Sequence, residues 1–459
     1  MTKNQNKNIV AIITMMFLFA MISFVTNLAA PIGVIWSNTF AGSNFLGMLG
    51  NMMNFAAYLF MGIPAGKLLS RIGYKKTALV AIAVGFVGVF TQYLSGVVSP
   101  EGVFLTLPLN FVVYLLGAFI AGFSVCMLNT VVNPMLNLLG GGGNKGNQLI
   151  QIGGTFNSLA GTLTPMLVGA LIGTVSVNTA ISDVNPVLFI ALGVFAAAFI
   201  ILGFIPIKDP VESRKGKVVV YESSPWKFRH FVLGAIAIFV YVGVEIGIPG
   251  TLNFYLSNIT DKGAGLDPSN AATIGGFVAG TYWFLMLIGR FIGSVVGGKV
   301  SSKVMLSTVS ALAIVLILAA IISPRTVTTS MPVFTGNAFS MTVVPLSALL
   351  LVLCGFCTSI MWGSIFNLAV EGLGKYTSAA SGIFMMMVVG GGIIPLIQNW
   401  VADQSTYMLS YIVPIIGLAY LLFYAVIGSK NVNTDIIITE DDDEEIPAEL
   451  ATGSLPSEE

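Results

Sequence analysis

Charge is scarce in this chain of 459 residues: 20 lysines and arginines and 20 aspartates and glutamates make up only 9% of it, where soluble domains carry about 25%. With 56% hydrophobic residues and a mean hydropathy of +0.91, a soluble fold is excluded. Histidine occurs once, as His230, which leaves a histidine relay or a metal site without ligands. Of the three cysteines, Cys354 and Cys357 form a CxxC, but within an apolar run and without histidine that spacing reads as small-residue packing rather than metal or redox chemistry. No hydrophilic stretch is long enough for a nucleotide-hydrolysing domain, and no Gly-Lys is followed by Ser or Thr as a phosphate-binding loop requires. ATP is therefore not the direct energy source, and an enzyme, a cofactor and a nucleic-acid partner are not expected. The run Gly140 to Gly143 lacks the strand-to-helix context of a phosphate loop and reads as a hinge between spans.

What the chain does have is long apolar runs. Twelve occur, near 9–36, 45–66, 77–98, 103–139, 147–174, 187–207, 231–257, 270–298, 304–323, 343–370, 377–402 and 406–429. Each is long enough for a helix to cross about 30 Å of hydrocarbon, and none shows the short alternating pattern of a membrane barrel. The expectation is an all-α polytopic membrane protein. With the amino terminus in the cytoplasm, only Lys262 and Arg325 among the basic loop residues fall outside, so both termini are placed inside. The first run lacks the short core and small-residue cleavage site of a signal peptide and reads as a retained helix. From 430 on, an acidic tail with Glu440 to Glu445 is expected to be disordered.

The longest polar connection, 208–230, divides the runs into two sets of six, 1–207 and 231–429. Gly66-Lys67 is echoed by Gly298-Lys299, Asn137-Leu138 by Asn367-Leu368, and Pro165 by Pro395, all at an offset of about 230 residues. Such echoes imply duplicated six-helix bundles that superpose around a central cavity.

More specific stretches are Glu371 to Ser378, Ser381-Gly382 and Val388 to Pro395, with Tyr241 to Glu245, Gly289 to Gly293, Asn133-Pro134 and Phe156-Asn157-Ser158. Over nearly its whole length the chain resembles the fucose:proton symporter family of major facilitators, which includes bacterial glucose and galactose transporters. The resemblance implies a monomeric transporter in the bacterial inner membrane, in contact with lipid. It implies import of a neutral sugar by alternating access, coupled to a proton or sodium ion. Family symporters carry an Asp four residues before a proline in helix one and a Glu five residues before the Asn-Pro proline in helix four. Asn27 and Asn129 stand there, and Gly154 stands where a Gln is common. An amide cannot titrate, so an uncoupled facilitator and a non-transporting sugar sensor remain alternatives. The absence of an output domain counts against the sensor.

Glu245 and Arg290 are the one carboxylate and the one cation deep within the runs. Burying either costs roughly 2.5 to 3.5 kcal/mol or more, so a functional role is the default reading. Glu245 is the candidate for ion coupling, with Arg290 as its partner or as a structural strut, and Pro249-Gly250 beyond it is expected to break the helix. Sugar hydroxyls need amide partners and sugar C–H faces need aromatic ones. Candidates are Asn27, Asn129, Asn133, Gln151, Asn157, Asn253, Asn367 and Gln398, with Trp283 and Trp362 for stacking. Each amide could equally be an interhelical hydrogen bond. Trp36 and Trp400, near run ends, read as interface anchors. Gly66, Lys67, Arg71, Lys299 and Lys303 lie in loops that, by resemblance, help hold one conformational state.

Overall fold

Without water to bond to, a membrane-embedded backbone must satisfy itself, and a helix does so within one segment. The computed structural model describes residues 3–99, 101–104, 106–139, 143–172, 179–205, 224–296, 300–334, 339–373 and 376–433. Twelve helices in it are long and apolar enough to span a membrane. They are α1 (Ile9–Thr39), α2 (Asn44–Leu69), α3 (Arg71–Ser95), α4 (Leu109–Asn133), α5 (Ile152–Ile172), α6 (Ile181–Phe204), α7 (Arg229–Ser257), α8 (Ala271–Gly293), α9 (Ser302–Ile322), α10 (Leu346–Val370), α11 (Gly382–Gln404) and α12 (Tyr407–Gly428). All twelve expected spans are present.

Their ends differ from expectation for local reasons. Helices α2 and α3 run into one another and are kinked at Gly73, in the first turn of α3, whose φ of 82° few side-chain-bearing residues adopt. The expected fourth and tenth runs begin too early, because two hairpins precede the helices. Strands β1 (Val103–Phe104) and β2 (Leu107–Pro108) form the first, and β3 (Thr328–Phe334) and β4 (Phe339–Pro345) the second. The second is rich in Thr and Val, which suit a pleated surface. If each helix crosses once, both hairpins fall on one face, here called the hairpin face, together with the turn between α1 and α2.

Helix α7 is not broken at Pro249; it continues to Ser257 with every residue from Gly247 onward buried. A proline removes one donor and so frees the carbonyl four residues earlier. Pro31, Pro165, Pro249 and Pro395 all sit inside continuing helices, freeing the carbonyls of Asn27, Gly161, Glu245 and Gly391. That of Gly391 is taken by Asn51 Nδ2 of α2 at 2.8 Å.

Close approach of helices rests on small residues. Along the α5–α8 contact, a Cβ on Gly280 would lie 2.7 Å from the Thr162 carbonyl, and Thr273 Oγ1 donates to the Gly169 carbonyl at 3.0 Å. Trp36 is not an interface anchor: it is 1% exposed and packs among Phe40, Phe111 and Tyr114, with centroids 4.7 to 6.2 Å away. Three nearby rings make protein, not lipid, its better apolar surroundings. Trp400 is exposed.

The 208–223 part of the connection, Gly140 to Gly142, Gly298, Lys299, Gly374, Lys375 and the tail from 434 lie outside the described residues.

Candidate functional site

Arg290, on α8, bridges three helices. Its Nη1 donates to the Gly154 carbonyl and to Ser158 Oγ of α5, both at 2.9 Å. Its Nη2 lies 3.5 Å from Glu245 Oε1 of α7. The side chains are 17% and 11% exposed respectively. The guanidinium fork suits this: rigid and always charged, it can hold a carboxylate and a carbonyl at once. The guanidinium lies directly against α5 here: a Cβ on Gly154 would meet Arg290 Nη1 at 3.5 Å, an ordinary contact.

One to two turns along α5 lies Gly161. A Cβ on it would be 2.9 Å from Ser23 Oγ, 3.2 Å from Trp283 Cδ2 and 3.4 Å from Asn27 Nδ2. Side chains of α1 and α8 therefore converge over one glycine of α5. Asn27 Nδ2 donates to the Ser23 carbonyl at 2.9 Å and to Ser23 Oγ at 3.1 Å. Gly154, Ser158 and Gly161, spaced four and three apart, share one face of α5. That face carries both the ion-pair seat and the Asn27–Trp283 cluster. Tyr241, one turn before Glu245, is fully buried and meets Trp362 of α10 edge-on at 6.2 Å.

The other candidate residues lie apart. Asn129 Nδ2 donates to Tyr58 OH at 2.7 Å, tying α4 to α2. Asn133 Nδ2 returns to the Asn129 carbonyl at 3.1 Å, and Asn157 Nδ2 reaches the Phe19 carbonyl of α1 at 3.0 Å. Asn253 is buried and accepts from Ser257 Oγ at 3.2 Å. Gln398 is fully buried, and its Oε1 and Nε2 have no partner among the described residues. Asn367 is exposed on α10, and Trp362 is half-buried. Gln151 lies at the start of α5 with its side chain outside the description. Gly66, Lys67, Arg71 and Lys303 are exposed on the face opposite the hairpins, where neighbouring Lys75 Nζ donates to the carbonyls of Gly203 and Ile205 at the end of α6. Among the described residues no cluster of His, Cys, Asp or Glu could hold a metal.

The sequence reading missed Ser23 and the roles of Ser158 and the Gly154 carbonyl. Ser23, one turn before Asn27, and Ser158, within the Phe156-Asn157-Ser158 stretch, carried a usable signal; a backbone carbonyl carries none.

The profile of the Major Facilitator Superfamily matches residues 12–396. The chain is 32% identical over 435 residues to the glucose/galactose transporter of Brucella abortus biovar 1 (strain 9-941), covering 94% of this chain and 97% of that one. It is 31% identical over 392 residues to the putative glucose/galactose transporter of Helicobacter pylori (strain ATCC 700392 / 26695), covering 82% and 86%. Against the L-fucose-proton symporter of Escherichia coli (strain K12) it is 21% identical over 437 residues, covering 90% and 91%. A crystal structure of the E. coli fucose:proton symporter matches with a TM-score of 0.61 at 18% identity, over 93% of this chain and 100% of that one. Twelve apolar helices in this arrangement, and a profile match over most of the chain, make this a multi-pass membrane protein that belongs to the Major Facilitator Superfamily of transporters.

Proposed function

We propose that the protein imports a neutral monosaccharide or sugar derivative by alternating access, coupled to a proton or a sodium ion. The halves are residues 1–207 and 231–429, joined by 208–230. Relatives named for glucose, galactose and fucose support the sugar, and one named a proton symporter supports coupling. Among the described residues, Lys67, Arg71, Lys75, Lys76, Lys227, Arg229, Lys303 and Lys430 lie at the face opposite the hairpins, and only Lys262 and Arg325 at the hairpin face. That bias supports a cytoplasmic position for the former face and for both termini, in a bacterial inner membrane.

The observation that carries the reading is the seat of Arg290, which joins the sole deep carboxylate of its own half to α5 of the other. While Glu245 is ionised, the two charges neutralise one another. A proton or sodium ion on Glu245 removes that attraction, leaving the guanidinium to Gly154 and Ser158, so loading changes the grip between halves. Above this seat, Asn27 and Ser23 offer hydroxyl partners and Trp283 an apolar ring face; the remaining amides are candidates for further hydroxyls. Glu245→Gln in proteoliposomes is expected to abolish uphill sugar accumulation while counterflow persists and the melting temperature holds. Unchanged accumulation at normal stability would remove Glu245 from coupling. Loss of stability and of both transport modes together would make it a strut.

A second reading, an uncoupled facilitator, is favoured by Asn27 and Asn129 in the places of family acids. Counterflow by the unaltered protein without accumulation under an imposed gradient would identify it.

A further inference from the structure

A second charged group joins the halves, on the hairpin face. Helix α2 starts at Asn44 with Ser43 as its cap; Ser43 Oγ accepts from Leu46 N at 3.3 Å. The free amides of that first turn do not face water. Asp403, near the end of α11, takes them: Oδ1 accepts from Asn44 N at 2.8 Å and Asn44 Nδ2 at 2.7 Å. Its Oδ2 accepts from Phe45 N at 2.9 Å and Ser43 Oγ at 3.0 Å. One carboxylate thus caps a helix some 359 positions away, where exposed backbone donors and the helix dipole both favour an anion. The contact continues sideways. Tyr407 OH of α12 donates to Asn44 Oδ1 at 2.8 Å, and Asn258 Nδ2, just past α7, donates to Tyr407 OH at 3.0 Å.

Beneath these bonds lies an apolar closure. Gly33 of α1 and Gly47 of α2 face each other, and the ring of Phe254 from α7 is set against both. A Cβ on Gly47 would lie 2.8 Å from Phe254 Cε1, and one on Gly33 3.0 Å from Phe254 Cζ. Phe254 is 2% exposed. Met48, beside it on α2, reaches toward Gly250 of α7 and is also buried. A polar clasp above and an aromatic plug below therefore shut one end of the contact between halves.

We infer that Asp403 is the latch of the outer gate: its capping of α2 holds the hairpin face closed, and loading sugar from that side requires the capping bonds to break. The inference rests on the alternating-access reading above, in which the same contact must open once per cycle. Four bonds to a charged acceptor make the closed state the default without substrate. Their loss shifts the balance rather than the chemistry of the binding site, which lies deeper in the helices.

The test places a reporter cysteine at Met48, in protein held in lipid nanodiscs so that both faces are accessible. The native Cys126, Cys354 and Cys357 are buried, and labelling of the chain lacking the reporter supplies the background. With Asp403 intact, a water-soluble maleimide is expected to react slowly. Asp403→Ala should accelerate labelling by about tenfold or more, the scale of a lost charge-assisted hydrogen bond. Asp403→Asn, which keeps one acceptor oxygen, should give an intermediate rate and serves if the alanine variant does not fold. A labelling rate within about twofold of the parent, at an unchanged melting temperature, overturns the latch. In proteoliposomes, an oxidised Asn44→Cys/Asp403→Cys pair should stop sugar counterflow and a reductant restore it; undiminished counterflow in fully cross-linked protein likewise overturns the proposal. Absence of counterflow in the unaltered protein would instead sink the transport reading, while the labelling comparison would still decide the latch.

Discussion

The α5–α8 and α2–α11 contacts each hold one charge from the second set of six helices in the backbone of the first, but the charges are opposite and are neutralised differently. Arg290 donates to a carbonyl and a hydroxyl of α5 and shares its charge with Glu245. Asp403 accepts from the amides opening α2, and among the described residues it forms no ion pair. A cation in mid-helix meets only partly used carbonyls, so Arg290 draws on a hydroxyl and a carboxylate as well. An anion at a helix start has unused donors waiting. The first arrangement can be changed by binding a small cation to the carboxylate. The second changes only if the helices part. One is suited to sensing a load and the other to holding a conformation.

The largest expected effect comes from breaking the buried pair. Arg290→Leu leaves Glu245 and the Gly154 carbonyl without their partner and should cost about 3–5 kcal/mol in unfolding free energy. Adding Glu245→Gln should recover much of that loss in denaturation experiments. No recovery would mean that Arg290 serves α5 rather than Glu245, and the contrast between the two contacts would weaken.

Overpacking tests the α5–α8 contact independently of charge. Gly280→Val inserts atoms 2.7 Å or less from the Thr162 carbonyl and should destabilise by about 1–3 kcal/mol, seen as a lower melting temperature. A neutral result would show that the helices can separate there without penalty.

The smallest effect is expected for Asn51→Leu. It deprives the Gly391 carbonyl, already without a helical donor because of Pro395, of its bond from α2, at about 0.6 kcal/mol by the measured average for interhelical bonds in membranes. A loss several times larger would mean that the α2–α11 contact depends on its middle as much as on Asp403.

The twelve spans were legible because length and hydropathy suffice for a helix that must cross hydrocarbon. Glu245 and Arg290 were legible through rarity, since the apolar runs of the sequence hold no other carboxylate or basic side chain so deep. Asp403 was not. Its sequence neighbourhood is that of any acid at a span end, and its partners are at Ser43 to Phe45. The intact α7 was also hidden, because a proline's effect depends on packing by neighbouring helices, here enough to bury every residue from Gly247 to Ser257. Trp36 misled because position along a helix says how deep a ring lies, not which way it points. Asn27 and Trp283 could be nominated singly; Gly161, the surface on which they meet, looked like one small residue among 51 glycines.

In the coupled cycle proposed above, the seat of Arg290 has an electrical consequence. A guanidinium and a carboxylate 3.5 Å apart sum to nothing, so moving both through the membrane field costs no work. Once a proton sits on Glu245, a single positive charge remains, and each elementary charge carried across the full field is worth about 2.3 kcal/mol per 100 mV. In that scheme the loaded carrier feels the membrane voltage and the unloaded one returns without feeling it, so an inside-negative potential drives accumulation through the loaded step alone.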